Sequence, residues 1–420
     1  MGCMNSLEKR IIESIDLKEI IQLVGELVAI PSHSGDEAKA QKLMAQKLSD
    51  TGFKVDTWSI DFKELKNRPD FSMNIERHEG LGVVGVYGDG GKSLILCGHI
   101  DTVDFGDPEK WSCNPLKTEI RGARLYGRGV CDMKGGLASA LIAVKTIVES
   151  EVELDGRLIY ESCIGEEDGG CGALATCLRG YKADAGIIME PTECKIAPEV
   201  AGALSFRVTV EGESTHASVR EEGVSAIEKF VTVFNGLREL EMERNARMKT
   251  RLFGRYQFPY ALNIGSIQGG GWAGTVPGRV TFEARMGVGV GETIANAKLE
   301  LEERLKEVAD SDRWLRSHPP KVEWSGYSFA PSMIEVNHPI VETLGKSYSD
   351  VTGLKPSLEG MPYASDARLL VNVGETPTVV FGPGNVRDAH RPDENVSLEE
   401  LEASSKILAL TILRFLGYKS

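Results

Sequence analysis

The sequence predicts an α/β fold: a mostly parallel sheet flanked by helices, interrupted by a smaller inserted α+β domain. Three observations predict it. At 420 residues the chain exceeds the roughly 250–300 residues at which one hydrophobic core stops growing. Short apolar runs alternate with stretches of helical periodicity, the arrangement that gives parallel strands covered on both faces. Near residue 202 the texture changes to half-buried alternating strands and long amphipathic helices, and the first style resumes further on. The inserted domain is therefore assigned to 202–318, and the larger one to 1–201 and 319–420.

Taken in order, residues 5–30 carry the apolar spacing of a helix closed by Pro31, and "DEAKAQKLMAQKLSDTG" is a second helix ended by Gly52. "VVGVYG" and "SLILCGHID" read as strands. "MKGGLASALIAVKTIVES" has the spacing of a buried helix, and "GRLIYESCI" and "AGIIME" are again short apolar strands. In the insert, "ALSFRVTVEGES", "ALNIGSIQGG" and "GRVTFEARMGV" alternate as strands, with helices in "GVSAIEKFVTVFNGLREL" and "ETIANAKLELEERLKEVAD" and a flexible turn at "GGGW". The chain closes with "HPIVETLGKSYSDVTG", "TPTVVFGPG" and the helix "LEELEASSKILALTILRFLG".

Composition excludes several classes. A net charge of −14 lacks the clustered Lys and Arg that phosphate contacts need, so no nucleic acid is expected as a partner. No apolar run approaches the ~20 residues that span a bilayer, and no membrane partner is expected. Eight cysteines without a Cys-x-x-Cys pair, and no signal peptide before the first helix, fit reduced thiols in a cytoplasmic protein. The N-terminal "MGCMNS" matches the acylation pattern through Gly2, Cys3 and Ser6, but the pattern is short and the expectation is a chance match.

The chemistry-bearing residues sit at the ends of apolar runs, where ligands collect in open α/β sheets. "SLILCGHIDTVD" delivers His99 and Asp101 two residues apart, on one side of an extended chain. A carboxylate there can fix the tautomer of a liganding His, although a structural His–Asp pair would use the same spacing. Asp132 in "GRGVCDMKGG" precedes a helix, so it is either a ligand hung over the sheet or an N-cap. "CIGEEDGG" places Glu166 and Glu167 side by side at a strand's end, where like charges repel. Glu190 follows "IIM", and His390 lies in a polar loop after the strand "TPTVVFGPG". Together His99, Asp132, Glu167, Glu190 and His390 form a mixture of imidazoles and carboxylates that suits zinc, or cobalt or manganese in its place. One bridging carboxylate with a His and a carboxylate for each ion would make a two-metal centre. The adjacent glutamates then divide into a ligand and a general base.

"GHIDTVD", "GRGVCDMKGG", "GEEDGGCG", "MEPT" and "GPGNVRDAHRPDE", in this order, resemble the di-zinc amidohydrolase and metallopeptidase family of acetylornithine deacetylase, succinyl-diaminopimelate desuccinylase, aminoacylase and carboxypeptidase G. The resemblance covers nearly the whole chain. It implies two zinc ions, one held by His99, Asp132 and Glu190 and the other by Asp132, Glu167 and His390, with Asp101 supporting His99 and Glu166 as the base. It also implies a cis peptide after Asp132. The insert resembles the family's lid and dimerisation domain, where His216 in "STHASV" would reach a neighbouring active site and donate to the oxyanion and Arg285 would grip a substrate carboxylate. A surface His and a structural ion pair are the plain alternatives. Two departures stand out: Arg220 where relatives usually carry Pro, and Gly274 where many carry Asn. "GMPYASDARLL" resembles a segment near the substrate, with no role assigned to Ser365 or Asp366. The implied activity is hydrolysis of the amide of an N-acyl amino acid by a homodimer. A dipeptidase or carboxypeptidase acting on a short peptide is one alternative, and an inactive metal-binding scaffold another.

Overall fold

The computed structural model describes residues 4–419, so Gly2 and Cys3 of the N-terminal match lie outside the described residues. The chain divides into two compact units, one of residues 1–199, 333–359 and 365–420, the other of 200–332 and 360–364.

In the first unit the sheet runs in the order Lys54–Ser59, Leu81–Tyr87, Arg157–Cys163, Ser93–His99, Ala185–Ile188, Thr378–Val380 and Ile196–Val200. Its centre is parallel: Ser93–His99 pairs in parallel with both Arg157–Cys163 and Ala185–Ile188, and Thr378–Val380 continues the set. The flanking strands are antiparallel. Leu94, Ile95, Leu96 and Cys97 are all buried, as a strand covered on both faces requires, and this is why the run reads as continuously apolar. Helix Lys134–Glu149 buries most of its circumference, including Leu137, Leu141, Val144 and Ile147, and packs against helices Leu17–Val28 and Leu398–Leu416. Each such side chain removed from water contributes about 1.5–3 kcal/mol. At this helix's first turn a Cβ on Gly136 would lie 2.1 Å from the Met189 carbonyl oxygen. Glycine thus lets the helix start press against the backbone just before Glu190.

The helix expected across 5–30 is two helices, Ser6–Glu13 and Leu17–Val28. Asp16 adopts an extended conformation and caps the second through the Lys18 amide, so a strong N-cap splits a continuous apolar periodicity. No helix among the described residues is long and apolar enough to cross a membrane. Cys97, Cys113, Cys131, Cys163, Cys171, Cys177 and Cys194 are free thiols.

The second unit is an antiparallel sheet in the order Leu262–Gly269, Arg279–Val288, Gly202–Glu211 and Lys321–Phe329, carrying helices Ala226–Met248 and Ile294–Ser311. Leu204, Phe206, Val208 and Val210 point inward at period two and meet Val233, Leu237, Leu240, Leu301 and Leu305 from the helices. Because Lys321–Phe329 pairs with Gly202–Glu211, this unit extends beyond the residue 318 expected from sequence.

Candidate metal centre

The parallel strands deliver the candidate residues to one end of the first unit. His99 is the last residue of its strand, Glu166 and Glu167 follow Arg157–Cys163 through a glycine turn, and Glu190 follows Ala185–Ile188. Gly165 has φ +67°, a left-handed conformation that glycine adopts without steric cost, and it turns the chain between strand and glutamates. Asp132 does not cap the following helix: the cap position is Met133, and no side chain caps that end. Its carboxylate is therefore free to face the other ligands. The Asp132–Met133 peptide is cis, as the resemblance implied.

Asp132 faces two ways. Its Oδ1 is 3.0 Å from Nε2 of His99, and its Oδ2 is 3.1 Å from Nε2 of His390. Nε2 of His99 also lies 3.6 Å from Oε1 of Glu190, and Nε2 of His390 lies 2.9 Å from Oε1 of Glu167. Two donor groups result, His99–Asp132–Glu190 and Asp132–Glu167–His390, each with its ligand atoms within 4.8 Å of one another. Glu166 belongs to neither group. Its amide and that of Glu167 donate to Oδ1 and Oδ2 of Asp101 at 3.2 and 3.3 Å, and Ser34 donates to the same carboxylate. Asp101 orients His99 differently from a carboxylate–histidine pair: Nδ1 is 3.0 Å from the Asp101 carbonyl oxygen and 3.6 Å from its carboxylate.

The donor set requires extra positive charge. Both nitrogens of His99 face acceptors, yet a neutral imidazole carries one N–H, so each oxygen-lined slot calls for a proton or a cation. Without a cation the imidazoles take up the proton. Burial opposes charge on His99, but Glu190, Asp132 and Asp101 outweigh it and push its pKa well above the usual range. Hydrogen bonds to Asp132 and Glu167 raise His390 to about 11. Burial also tends to raise Asp132, but His390 and His99 hold it below the ordinary carboxylate range. Burial, with Asp132 next, raises Glu167 to about 7. Burial likewise pushes Glu190 and Glu166 well above their usual values. A crowd of buried carboxylates held apart only by protons and imidazolium is what divalent cations would relieve.

His216 and Arg285 lie in the second unit. His216 is exposed and caps the short turn Ala217–Glu222, its Nδ1 accepting the Ser218 amide at 3.2 Å. Arg285 is half-buried on strand Arg279–Val288, opposite Ser205 and Asn263. Arg220, where the resemblance led to an expectation of Pro, pairs with Glu228 at 2.9 Å. A Cβ on Gly274 would lie 2.6 Å from the ring of Trp272, so the tryptophan fills the space that an asparagine side chain would enter.

Sequence reasoning missed the residues that hold the candidate ligands. Buried Glu394 accepts the amides of Cys131 and Asp132 at 2.9 and 3.1 Å and pairs with buried Arg128 at 2.7 Å. Arg368 donates to the Gly169 carbonyl at 2.6 Å. Glu394 was inside a quoted motif, and its signal is only its place four residues beyond His390 in a loop otherwise expected to be solvated.

The pattern of peptidase family M20/M25/M40 matches residues 95–414. The N-formyl-4-amino-5-aminomethyl-2-methylpyrimidine deformylase of Halalkalibacterium halodurans is 31% identical over 416 residues, covering 93% of each chain. The acetylornithine deacetylase of Proteus mirabilis is 27% identical, with 96% of this chain and 98% of the relative covered. Among solved structures, aminopeptidase PepT from Bacillus cereus superposes with a TM-score of 0.71 at 22% identity, covering 95% of this chain and 98% of that one. A dinuclear metal binding peptidase of the M20 family from Bacillus subtilis superposes with a TM-score of 0.63 at 15% identity, covering 95% and 98%. With its matched region running from the His99 strand to the closing helix, the chain belongs to peptidase family M20/M25/M40, a family of hydrolases.

Proposed function

We propose that the protein hydrolyses the amide of a small N-acylated amine, an N-acyl amino acid in the first instance, by a two-metal mechanism. The observation that carries this is the two-faced carboxylate of Asp132, one oxygen toward each His. His99, Asp132 and Glu190 would hold one cation, and Asp132, Glu167 and His390 the other. Zinc suits this mixture of imidazole and carboxylate, with cobalt or manganese able to replace it. When bound, such a pair supplies Lewis acidity and lowers the pKa of water.

Glu166 stands outside both donor groups and takes the proton of the attacking water as its oxygen bonds to the acyl carbon. It returns that proton to the nitrogen as the C–N bond breaks, leaving a carboxylic acid and an amine, and the acid's proton passes to the amine to give carboxylate and ammonium. The Asp101 carboxylate, by accepting both glutamate amides, fixes the loop that aims Glu166. For His216 the Ser218 amide occupies Nδ1, which keeps the proton on Nε2 for donation to the developing oxyanion. Arg285 would meet a substrate carboxylate with its planar fork.

A second reading, hydrolysis of a formamide on an aminomethylpyrimidine, is favoured by the 31% identity to the deformylase. Turnover of N-acetylornithine, N-acetylmethionine, N-succinyl-diaminopimelate, N-formyl-4-amino-5-aminomethyl-2-methylpyrimidine and a set of dipeptides, each with zinc, cobalt and manganese, tests both. The highest kcat/KM on an acylated amino acid supports the first reading, and on the formamide the second. Preference for dipeptides would replace both by a peptidase, and a metal-loaded protein inert toward all of them would be a scaffold.

A homodimer is also proposed. Ile227, Val231 and Phe234 are exposed along one stripe of helix Ala226–Met248, and Leu262–Gly269 is an edge strand of its sheet; both are features that partners cover. Sedimentation equilibrium should return about twice the chain mass of 45.7 kDa. A concentration-independent single-chain mass would refute it.

A further inference from the structure

The loop carrying Glu166 and Glu167 rests on a buried guanidinium that the mechanism above does not use. Arg77 is buried, in a segment without regular structure between two outer strands. Its Nη2 lies 2.8 Å from Oε1 of Glu37 and 3.4 Å from Oδ2 of Asp168. Its Nη1 is 3.7 Å from the Cys171 sulfur, and a Cβ on Gly165 would come within 2.6 Å of it. The guanidinium therefore fills the space under both ends of the turn that presents the two glutamates.

The contacts close on themselves. Asp168, next to Glu167, accepts the amides of Asn74 and Ile75 at 2.7 and 2.9 Å, tying the Arg77 segment to the glutamate loop. Glu37 accepts the Gly35 amide at 2.9 Å, and neighbouring Ser34 donates to Asp101, the carboxylate that holds the Glu166 and Glu167 amides. Three segments, 34–37, 74–77 and 165–171, thus share one positive charge among Glu37 and Asp168, with Asp101 close by. Burial first, then the Asp101 carboxylate, raises Glu37 to about 7 against the pull of Arg77.

We infer that Arg77 is a positioning residue: by bridging Glu37 and Asp168 beneath the Gly165–Cys171 turn, it sets the direction in which Glu166 and Glu167 leave the sheet. This rests on the reading of Glu166 as the base and Glu167 as a ligand. Removing the guanidinium takes the shared partner from the buried Glu37 and Asp168 carboxylates and empties the space beside Gly165, so the turn loses its support. Lysine restores the charge, but one compact ammonium cannot both meet the carboxylates as Nη2 does and fill the space beside Gly165 and Cys171 as Nη1 does.

The test uses purified full-length holoenzyme with Arg77→Met, Arg77→Lys and Glu166→Gln in parallel, reading kcat and KM separately, zinc affinity of the apo forms by chelator competition, and thermal melting. Arg77→Met is expected to lower kcat and weaken zinc binding by about 10–100-fold each, the usual effect of losing a group that orients ligands, with KM little changed. Arg77→Lys is expected to fall between it and wild type, and it stands as the test should Arg77→Met fail to fold. Kinetic constants and zinc affinity like wild type in either folded variant, even with a lowered melting temperature, would reduce Arg77 to a structural role and overturn the inference. If Glu166→Gln is inactive in the same series, that failure belongs to Arg77 alone. If Glu166→Gln is active, the reading of the base fails and the inference falls with it.

Discussion

Glu166→Gln is expected to keep its bound metal and lose roughly 10²–10⁴-fold in kcat, the range a positioned general base contributes. The two outcomes separate because Glu166 lies in neither donor group, while its backbone is held by the hydrogen bond its amide donates to the Asp101 carboxylate, which the substitution leaves intact. Glutamine preserves shape and removes the basic oxygen, so KM should move much less than kcat. Burial and the surrounding carboxylates raise this glutamate well above its usual pKa when no cation is present, and bound cations would restore the charged, proton-accepting form. Steady-state kinetics paired with metal analysis checks both halves of the expectation. Activity near wild type would remove Glu166 from the mechanism.

Asp132→Ala carries the second large effect, and it acts on metal rather than on proton transfer. This carboxylate belongs to both donor groups, so its loss takes one ligand from each and leaves His99 with Glu190 and His390 with Glu167. Metal content after dialysis is expected to drop from about two ions per chain, the stoichiometry of a bridged two-metal site, to less than one, with activity at background. Since cations that bind only the folded chain also stabilise it, zinc should raise the melting temperature of wild type and do so far less in the variant. Mass spectrometric metal counting and a zinc titration of the melting temperature are the measurements. Two retained ions would show that Asp132 does not bridge.

Much of this candidate centre was legible because its residues terminate apolar runs. His99 ends a continuously buried strand, and Glu190 follows another, so strand-end position survived the lack of any structural information. Asp132 was ambiguous between ligand and helix cap, and the observed cap position at Met133 removes the cap alternative. What stayed hidden depends on contacts distant in sequence. Arg77 sits in "NIERHEG", which reads as a solvated loop, and it is buried because segments 34–37 and 165–171 close over it. Strand Lys321–Phe329 alternates between half-buried and exposed positions, a weak apolar signal at a sheet edge, and its omission set the expected domain boundary too early. The break at Asp16 shows the reverse case, where apolar periodicity ran on through a cap that ends one helix and begins another.

The expected effects of both variants depend on two cations sharing the carboxylate of Asp132. Anomalous diffraction at the zinc edge from crystals of the zinc-loaded protein tests it most directly. Two peaks about 3.5–4 Å apart are expected, one beside His99 and Glu190, the other beside His390 and Glu167, with an Asp132 oxygen about 2.0–2.2 Å from each. A single peak, or two peaks that no Asp132 oxygen links, would contradict it.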